Sequence, residues 1–354
     1  MIRISLYLAK TVIVNSLLVL LVLTVLASLI TFVGEIHNLS STYTVAEAAR
    51  FTLFKIPGGM YDMFTISTLL GALLGLGELA GNNELTVMRV AGVSVARLGM
   101  AAMVGGVVLA LMCVLLGELI VPTTERMAED RRAELVNART NVLGTGGIWA
   151  KDGPSFVNVR AMTNRNMARG IYIYQITPNR QLSQITFANS AVFDTQPPRL
   201  HALRATRFLG ADGASVYHMQ TERWSTSLNP SIISLFSLAA TSLSAASLHE
   251  YIGYLRANHL DEGRYVAEFW DHIARPVALL LMLMLSLPFV FGPLRSSSTG
   301  QRMLVGMLVG IGFYVFNTMF MQTGVVFGLD PFATAWLPTL LLGGISILAV
   351  RRIR

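Results

Sequence analysis

The chain is 354 residues long, 53% apolar and only 13% charged, with a mean hydropathy of +0.57. Soluble domains carry about 25% charged residues, so this composition excludes a disordered chain, a fibrous repeat and an ordinary soluble domain. A net charge of +7 would suit a nucleic-acid binder, but the basic residues mark topology instead, and the single cysteine, Cys113, excludes an internal disulfide or a cysteine metal cluster.

A helix needs about 20 mostly apolar residues to cross a bilayer. The first such run is 11–33, which is uncharged. It exceeds the apolar core of a signal peptide, about 7–15 residues, and no A-x-A site closes it, so it reads as a retained helix. The second run, 56–77, holds Pro57 near its start and one charge, Asp62. Charges inside a membrane are functional candidates by default, but Asp62 lies near the end of its run, where an interfacial role is the simpler reading. Gly71, Gly75 and Gly77 crowd the other end and permit close helix approach.

The short loop 83–92, NELTVMRVAG, predicts an amphipathic helix with Leu85, Val87, Met88 and Ala91 at helical spacing. Glu84 falls in its first turn, where the helix dipole favours an anion, and Arg89 and Arg97 follow. Such a helix either lies passively in the headgroups or plugs into a groove on a cytosolic partner. A third span, 98–117, takes in Cys113 and runs into a charged helical stretch, 123–141.

The region that follows predicts short strands at 147–151, 155–160, 170–177, 181–194, 199–210 and 214–226. They are separated by turn signals such as Asp152-Gly153-Pro154 and Gln196-Pro197-Pro198. Regular short strands suggest a sandwich, jelly roll or open barrel. Two amphipathic helices, 247–258 and 261–273, lead to three more spans at 276–294, 303–329 and 331–350. The fifth carries the spaced pairs Gly306/Gly310 and Gly324/Gly328, suited to internal packing or to a subunit interface.

The expected fold is therefore a membrane α-helical protein with six spans, three plus three, and an inserted all-β, jelly-roll-like domain. The expected divisions are 1–121, 122–272 and 273–354. Lys and Arg in short loops mark the cytoplasmic side. Arg3, Lys10, Arg89, Arg97, Arg295, Arg302, Arg351, Arg352 and Arg354 lie on one side, against Arg50 and Lys55 on the other. Both termini are thus expected in the cytoplasm and the insert outside it.

No G-x-x-x-x-G-K-[ST] is present, so the chain does not read as a P-loop ATPase, and neither H-E-x-x-H nor G-x-S-x-G occurs. The six histidines form no close pair at ligand spacing; no metal and no catalytic residue is expected.

LLGALLGLGELAGNNELTVMRVAGVS (69–94) resembles the second span and coupling helix of the lipopolysaccharide export permeases, the LptF/LptG family. GIWAKDGPSFVNV (147–159), SLHEYIGYLRANHLDEGRYVAEFW (247–270) and FVFGPLRS (289–296) resemble its G-type branch. The resemblance implies one half of an ABC transporter in the bacterial inner membrane. The G-type chain pairs with an F-type permease above two copies of a cytosolic ATPase, which holds the ATP and magnesium; this chain is expected to bind no cofactor. A single-span bridge subunit lies near span one. The cargo is lipopolysaccharide, passed to periplasmic β-jelly rolls.

By resemblance, Glu84 matches the glutamate that contacts the ATPase, with Leu85, Met88, Arg89 and Ala91 along that interface. Lysines that contact lipid phosphates near the end of span one are absent here; His37 is the residue there that can be cationic. Arg132 matches a basic family position and Arg131 is beside it, so phosphate contact is expected at these two. Ile171, Ile173, Ile185, Phe187 and Val192 are candidates for a lipid groove in the β domain, or for a filled sandwich core. Rival readings are a lipid-modifying enzyme using Asp62, Glu35 and Glu118, a passive scaffold for the β domain, or a permease of another ABC family.

Overall fold

The computed structural model describes residues 2–352 except 41, 138–146, 165, 195–196, 209–212, 237–238 and 292–298. In chain order the elements begin with α1 (Ile2–Ile36), α2 (Val45–Gly81), α3 (Glu84–Val90), α4 (Val95–Leu115), a π turn (Leu116–Ile120) and α5 (Val121–Asn137). Six strands follow: β1 (Ile148–Asp152), β2 (Ser155–Asn164), β3 (Met167–Ile176), β4 (Leu182–Val192), β5 (Arg199–Phe208) and β6 (Ala214–Arg223). Then come α6 (Pro230–Leu235), α7 (Ala245–Ala257), α8 (Gly263–Phe291), α9 (Thr299–Val326) and α10 (Pro331–Arg351). The chain divides into a helical unit, 1–136 with 240–245 and 263–354, and a second unit, 137–239 with 246–262.

Among the described residues, six helices of the first unit are long and apolar enough to cross a membrane. They outrun the apolar stretches seen in the sequence. α2 has 37 residues, about 55 Å at 1.5 Å per residue, where a bilayer core is about 30 Å. The segment 261–273 is not a separate amphipathic helix: α8 begins at Gly263 and continues through Pro276 and Pro288. The helical unit therefore takes in α5 up to residue 136 and the start of α8, 263–272, which the sequence places with the insert.

The centre of the helical unit is made where glycines let backbones meet. A Cβ at Gly71 would lie 2.3 Å from the Ser16 Cα, one at Gly75 2.9 Å from the Thr11 Cγ2, and one at Gly105 2.8 Å from the Ala9 carbonyl oxygen. α1 is thus held against α2 and α4 by absent side chains. Gly306 and Gly310 on α9 face Leu73 and Ile66 of α2, and Gly324 faces Thr334 of α10, so these glycines serve packing within the chain. Leu8, Val12, Leu69, Leu73, Leu109, Cys113, Leu279 and Leu283 form the interior. The outer faces are apolar too: Leu18, Leu21, Leu29 and Ile30 on α1, and Leu304, Leu308 and Met319 on α9, are exposed. That distribution suits a hydrocarbon solvent.

In the second unit the six strands pair in sequence order as one antiparallel meander. A jelly roll has Greek-key crossings; the described strands have none. Val157, Val159, Ile171, Ile173, Thr186, Ala188, Leu203 and Ala205 are buried at alternating positions of adjacent strands. The alternation slips along one transverse line, where Gly170 (φ +65) and Ala202 (φ +53) take left-handed backbone. Beyond it, Ala168, Ala191 and Leu200 become the buried residues while the pairing register is kept. The β1–β2 turn, with Gly153 at φ +58, is clamped by α7 and the residue just after it. Tyr254 Oη accepts from the Lys151 amide at 3.1 Å and donates to the Lys151 carbonyl at 2.7 Å, and Asn258 Oδ1 accepts from the Gly153 amide at 2.8 Å. Burial raises the pKa of the Tyr254 hydroxyl, which keeps it a donor.

Candidate functional site

Four places carry the side chains singled out from sequence. The first is α3. The chain reverses at Asn83, which takes left-handed backbone (φ 62) before Glu84 opens the helix; Asn tolerates that conformation better than most residues. Leu85 is buried at 2% exposure and half-buried Met88 packs on the helical core, so both anchor α3 to its own chain. The outward face is Val87, Arg89, Val90 and Ala91, with Val90 85% exposed. Glu84 accepts a hydrogen bond from Tyr7 Oη at 3.0 Å, which ties α3 to α1. Sequence periodicity groups Leu85 with Met88 but does not say which face turns inward, so it does not single out Val90 as exposed.

The second place is a cavity of about 770 Å³ between the start of α2 and α5, lined by Tyr43, Glu47, Arg50, Phe51, Leu53, Asp130, Arg131 and Arg132 among others. Arg131 and Arg132 do come together here, and Arg50 joins them. Arg132 Nε lies 3.3 Å from Glu35, Arg131 Nη2 3.5 Å from Glu47, and Arg50 Nη1 3.2 Å from Glu47. Glu35 also accepts from Tyr43 Oη at 3.1 Å. Burial, with Glu35 beside it, pushes the Tyr43 hydroxyl up to about 12. The Arg132 guanidinium sits 5.3 Å from the centre of the Phe51 ring. His37 is exposed and does not line this cavity. A second cavity, of about 710 Å³, lies between α1 and α2; Leu17, Leu20, Leu21, Val25, Leu29, Phe32 and Ile56 give it an apolar lining. Leu53 lines both. An arginine-lined cavity thus adjoins an apolar groove.

The third place is the sheet. Ile171 and Ile173 are buried on one face, whereas Ile185, Phe187 and Val192 are half-buried on the other, so the five groove candidates do not form one surface. The β3–β4 register makes the split: Ile171 and Ile173 stand opposite Ala188 and Thr186, so Ile185 and Phe187, paired with Tyr174 and Tyr172, fall on the other face, and the kink turns Val192 to that same face. Phe187 instead joins an aromatic group: Tyr172 lies 4.8 Å from it, Trp149 stacks on Tyr174 at 5.5 Å, and Arg160 sits 5.0 Å over Tyr172.

The fourth place is an ion-pair network between α2 and α8 that the sequence did not reveal. Arg275 bonds Asp271 at 2.7 Å and Asp62 at 3.1 Å, and lies 4.2 Å from the Tyr61 ring centre. Asp62 is therefore the partner of a cation on α8. One helix turn away, His272 Nδ1 meets Glu118 at 3.1 Å, and Glu118 also accepts the Ala245 amide at 3.0 Å. Glu118 sits in the π turn, whose extra residue shifts the helix phase. Glu35, Asp62 and Glu118, the acids an enzyme would need, are each engaged in separate pairs.

Among the described residues, six membrane-length helices split in sequence by an antiparallel sheet define a multi-pass membrane protein. The family described as lipopolysaccharide export system permease LptF/LptG matches residues 6–352, and the chain belongs to it. It is 34% identical to the lipopolysaccharide export system permease protein LptG of Haemophilus influenzae over 338 residues, covering 95% of this chain and 94% of that one. It is 31% identical to the LptG protein of Escherichia coli K12 over 336 residues, covering 94% and 93%.

Proposed function

We propose that this chain is the G-type half of an ATP-driven exporter that lifts lipopolysaccharide out of the inner membrane and passes it towards a periplasmic β bridge. The observation that carries the reading is the junction at Leu53 of the arginine-lined cavity with the apolar α1–α2 groove. Three arginines face two acids in that lining. The Arg50 and Arg131 side chains are themselves largely exposed, so a phosphate can reach their outward N–H groups while Glu47, mostly buried, keeps its contact with them. Bidentate arginine contacts suit phosphate oxygens.

The energy argument requires a motor. Each acyl CH₂ taken from hydrocarbon into water costs about 0.8 kcal/mol, so a lipid with several chains leaves the bilayer only if an apolar receiver and an external energy source are coupled. The chain has no P-loop of its own, and two copies of a cytosolic ATPase supply the hydrolysis. The ATPase grips α3 through Glu84, Arg89, Ala91 and the exposed Val87 and Val90. Tyr7 passes the movement of α3 to α1, one wall of the apolar groove. Narrowing that groove, shared with an F-type permease, expels the lipid to the β unit. A single-span bridge subunit completes the path, both termini stay in the cytoplasm, and the chain itself catalyses no reaction and holds no cofactor.

The test is copurification of lipopolysaccharide with the permease pair. Arg131→Ala/Arg132→Ala should reduce retained lipid about tenfold, the worth of one to two charge-assisted hydrogen bonds. Unchanged lipid retention and unchanged export in the double variant would remove this cavity from the path.

A further inference from the structure

A third cavity, of about 550 Å³, opens between α2, α8 and α9. Polar side chains dominate part of its wall: Asp62, Arg264, Glu268, Asp271, Arg275 and Asn317 line it, with Ile66, Ala278 and Phe313. Two of its acids, Asp62 and Asp271, are taken up by Arg275. Glu268 is not. It is 7% exposed, it lines the cavity, and among the described residues no hydrogen bond or ion pair reaches its carboxylate. A carboxyl group held mostly out of water is stabilised by a hydrogen-bond donor, so its place on a cavity wall suits a ligand that donates to it. Arg264, four residues earlier on α8, lines the same cavity, is exposed, and likewise has no paired acid among the described residues.

The two unpaired charges have opposite sign and stand one helix turn apart. We propose that this cavity binds a zwitterionic phosphate–ammonium headgroup, with the ammonium donating to Glu268 in the interior and the phosphate held by Arg264. The ammonium completes the hydrogen bonding of Glu268, since the ion pairs of Arg275 go to Asp62 and Asp271 and not to Glu268. The chemistry fits ethanolamine phosphate, whether on a phospholipid or on a decorated lipopolysaccharide. A quaternary ammonium cannot donate a hydrogen bond to Glu268, and a glycerol headgroup carries no cation. The site stands apart from the arginine cavity of α2 and α5, and its occupancy does not depend on the export reading.

The experiment is native mass spectrometry of the full chain in its permease complex. Phosphatidylethanolamine, phosphatidylcholine and phosphatidylglycerol of one acyl composition are offered, and lipopolysaccharide with and without ethanolamine phosphate is offered separately. The wild type should retain the ethanolamine lipid about tenfold over both other phospholipids. Glu268→Gln should abolish that preference while leaving phosphatidylglycerol retention unchanged, and Arg264→Gln should weaken ethanolamine and glycerol lipids alike. Glu268→Gln should also unfold no more easily than the wild type, since it removes an unpaired buried charge, so loss of preference is not loss of fold. A preference confined to decorated lipopolysaccharide assigns the site to cargo and not to bulk phospholipid. Absence of preference in both sets, or a preference that survives Glu268→Gln, overturns the proposal.

Discussion

Replacing Gly71 by Ala tests how the helical unit is held together. The new Cβ would sit 2.3 Å from the Ser16 Cα and 2.4 Å from the Ser16 amide nitrogen. Ordinary carbon contacts are about 3.5–4.0 Å, so α1 must retreat by more than an ångström, and no rotamer change helps because both atoms are backbone. Overpacking of this kind costs about 1–3 kcal/mol, and the upper end applies here. Alanine returns about 1 kcal/mol through its better helix propensity, leaving a net loss of about 2 kcal/mol, or about 30-fold in the open population. Cys113, the sole cysteine, is fully buried in the same core, so maleimide labelling of detergent-solubilised protein reads that opening at one site. Gly71→Ala should label about 30-fold faster than the wild type, and Gly59→Ala, which meets nothing within 4 Å on the same helix, should label no faster. Equal rates for Gly71→Ala and the wild type would refute the close contact of α1 with α2.

Two further outcomes follow from burial. Val90→Asp should weaken ATPase association at least about tenfold, as loss of a hot-spot contact does, with the melting temperature unchanged. Leu85→Ala should instead destabilise the chain by about 2–5 kcal/mol; a Val90→Asp variant that binds the ATPase normally removes the outward face of α3 from the interface. In the Arg275 network the two acids should differ. Asp271 is 5% exposed at the side chain and Asp62 52%, so Asp271→Asn should cost about 3–5 kcal/mol and Asp62→Asn no more than about 1 kcal/mol. Denaturant titration of the two variants checks this, and equal costs would contradict the assigned geometry.

The sequence discloses what repeats locally and hides what depends on distant partners. The spans and six strands are legible because uncharged runs and period-two alternation are local signals. The strands 148–152, 155–164 and 167–176 fall close to their expected places. α8 was misread at Pro276, since proline at the head of an apolar run reads as a helix start. The groove candidates fall on two faces because the register between β3 and β4, which sets Ile171 opposite Ala188 and not opposite Phe187, is not written in either strand alone. The Asp62–Arg275 pair joins residues 213 apart in sequence. Each was legible as a charge, but their pairing depends on how α2 and α8 pack. In the same way the sequence offered Arg131 and Arg132, while Arg50, Glu47 and Glu35 became their neighbours only through the fold.

The most direct measurement is gentle affinity purification of the chain from its native membrane, with the accompanying proteins and lipids identified by mass spectrometry. The account predicts a P-loop ATPase, a second six-span permease and lipopolysaccharide in one complex. The chain recovered alone, turning over an envelope lipid, would contradict it.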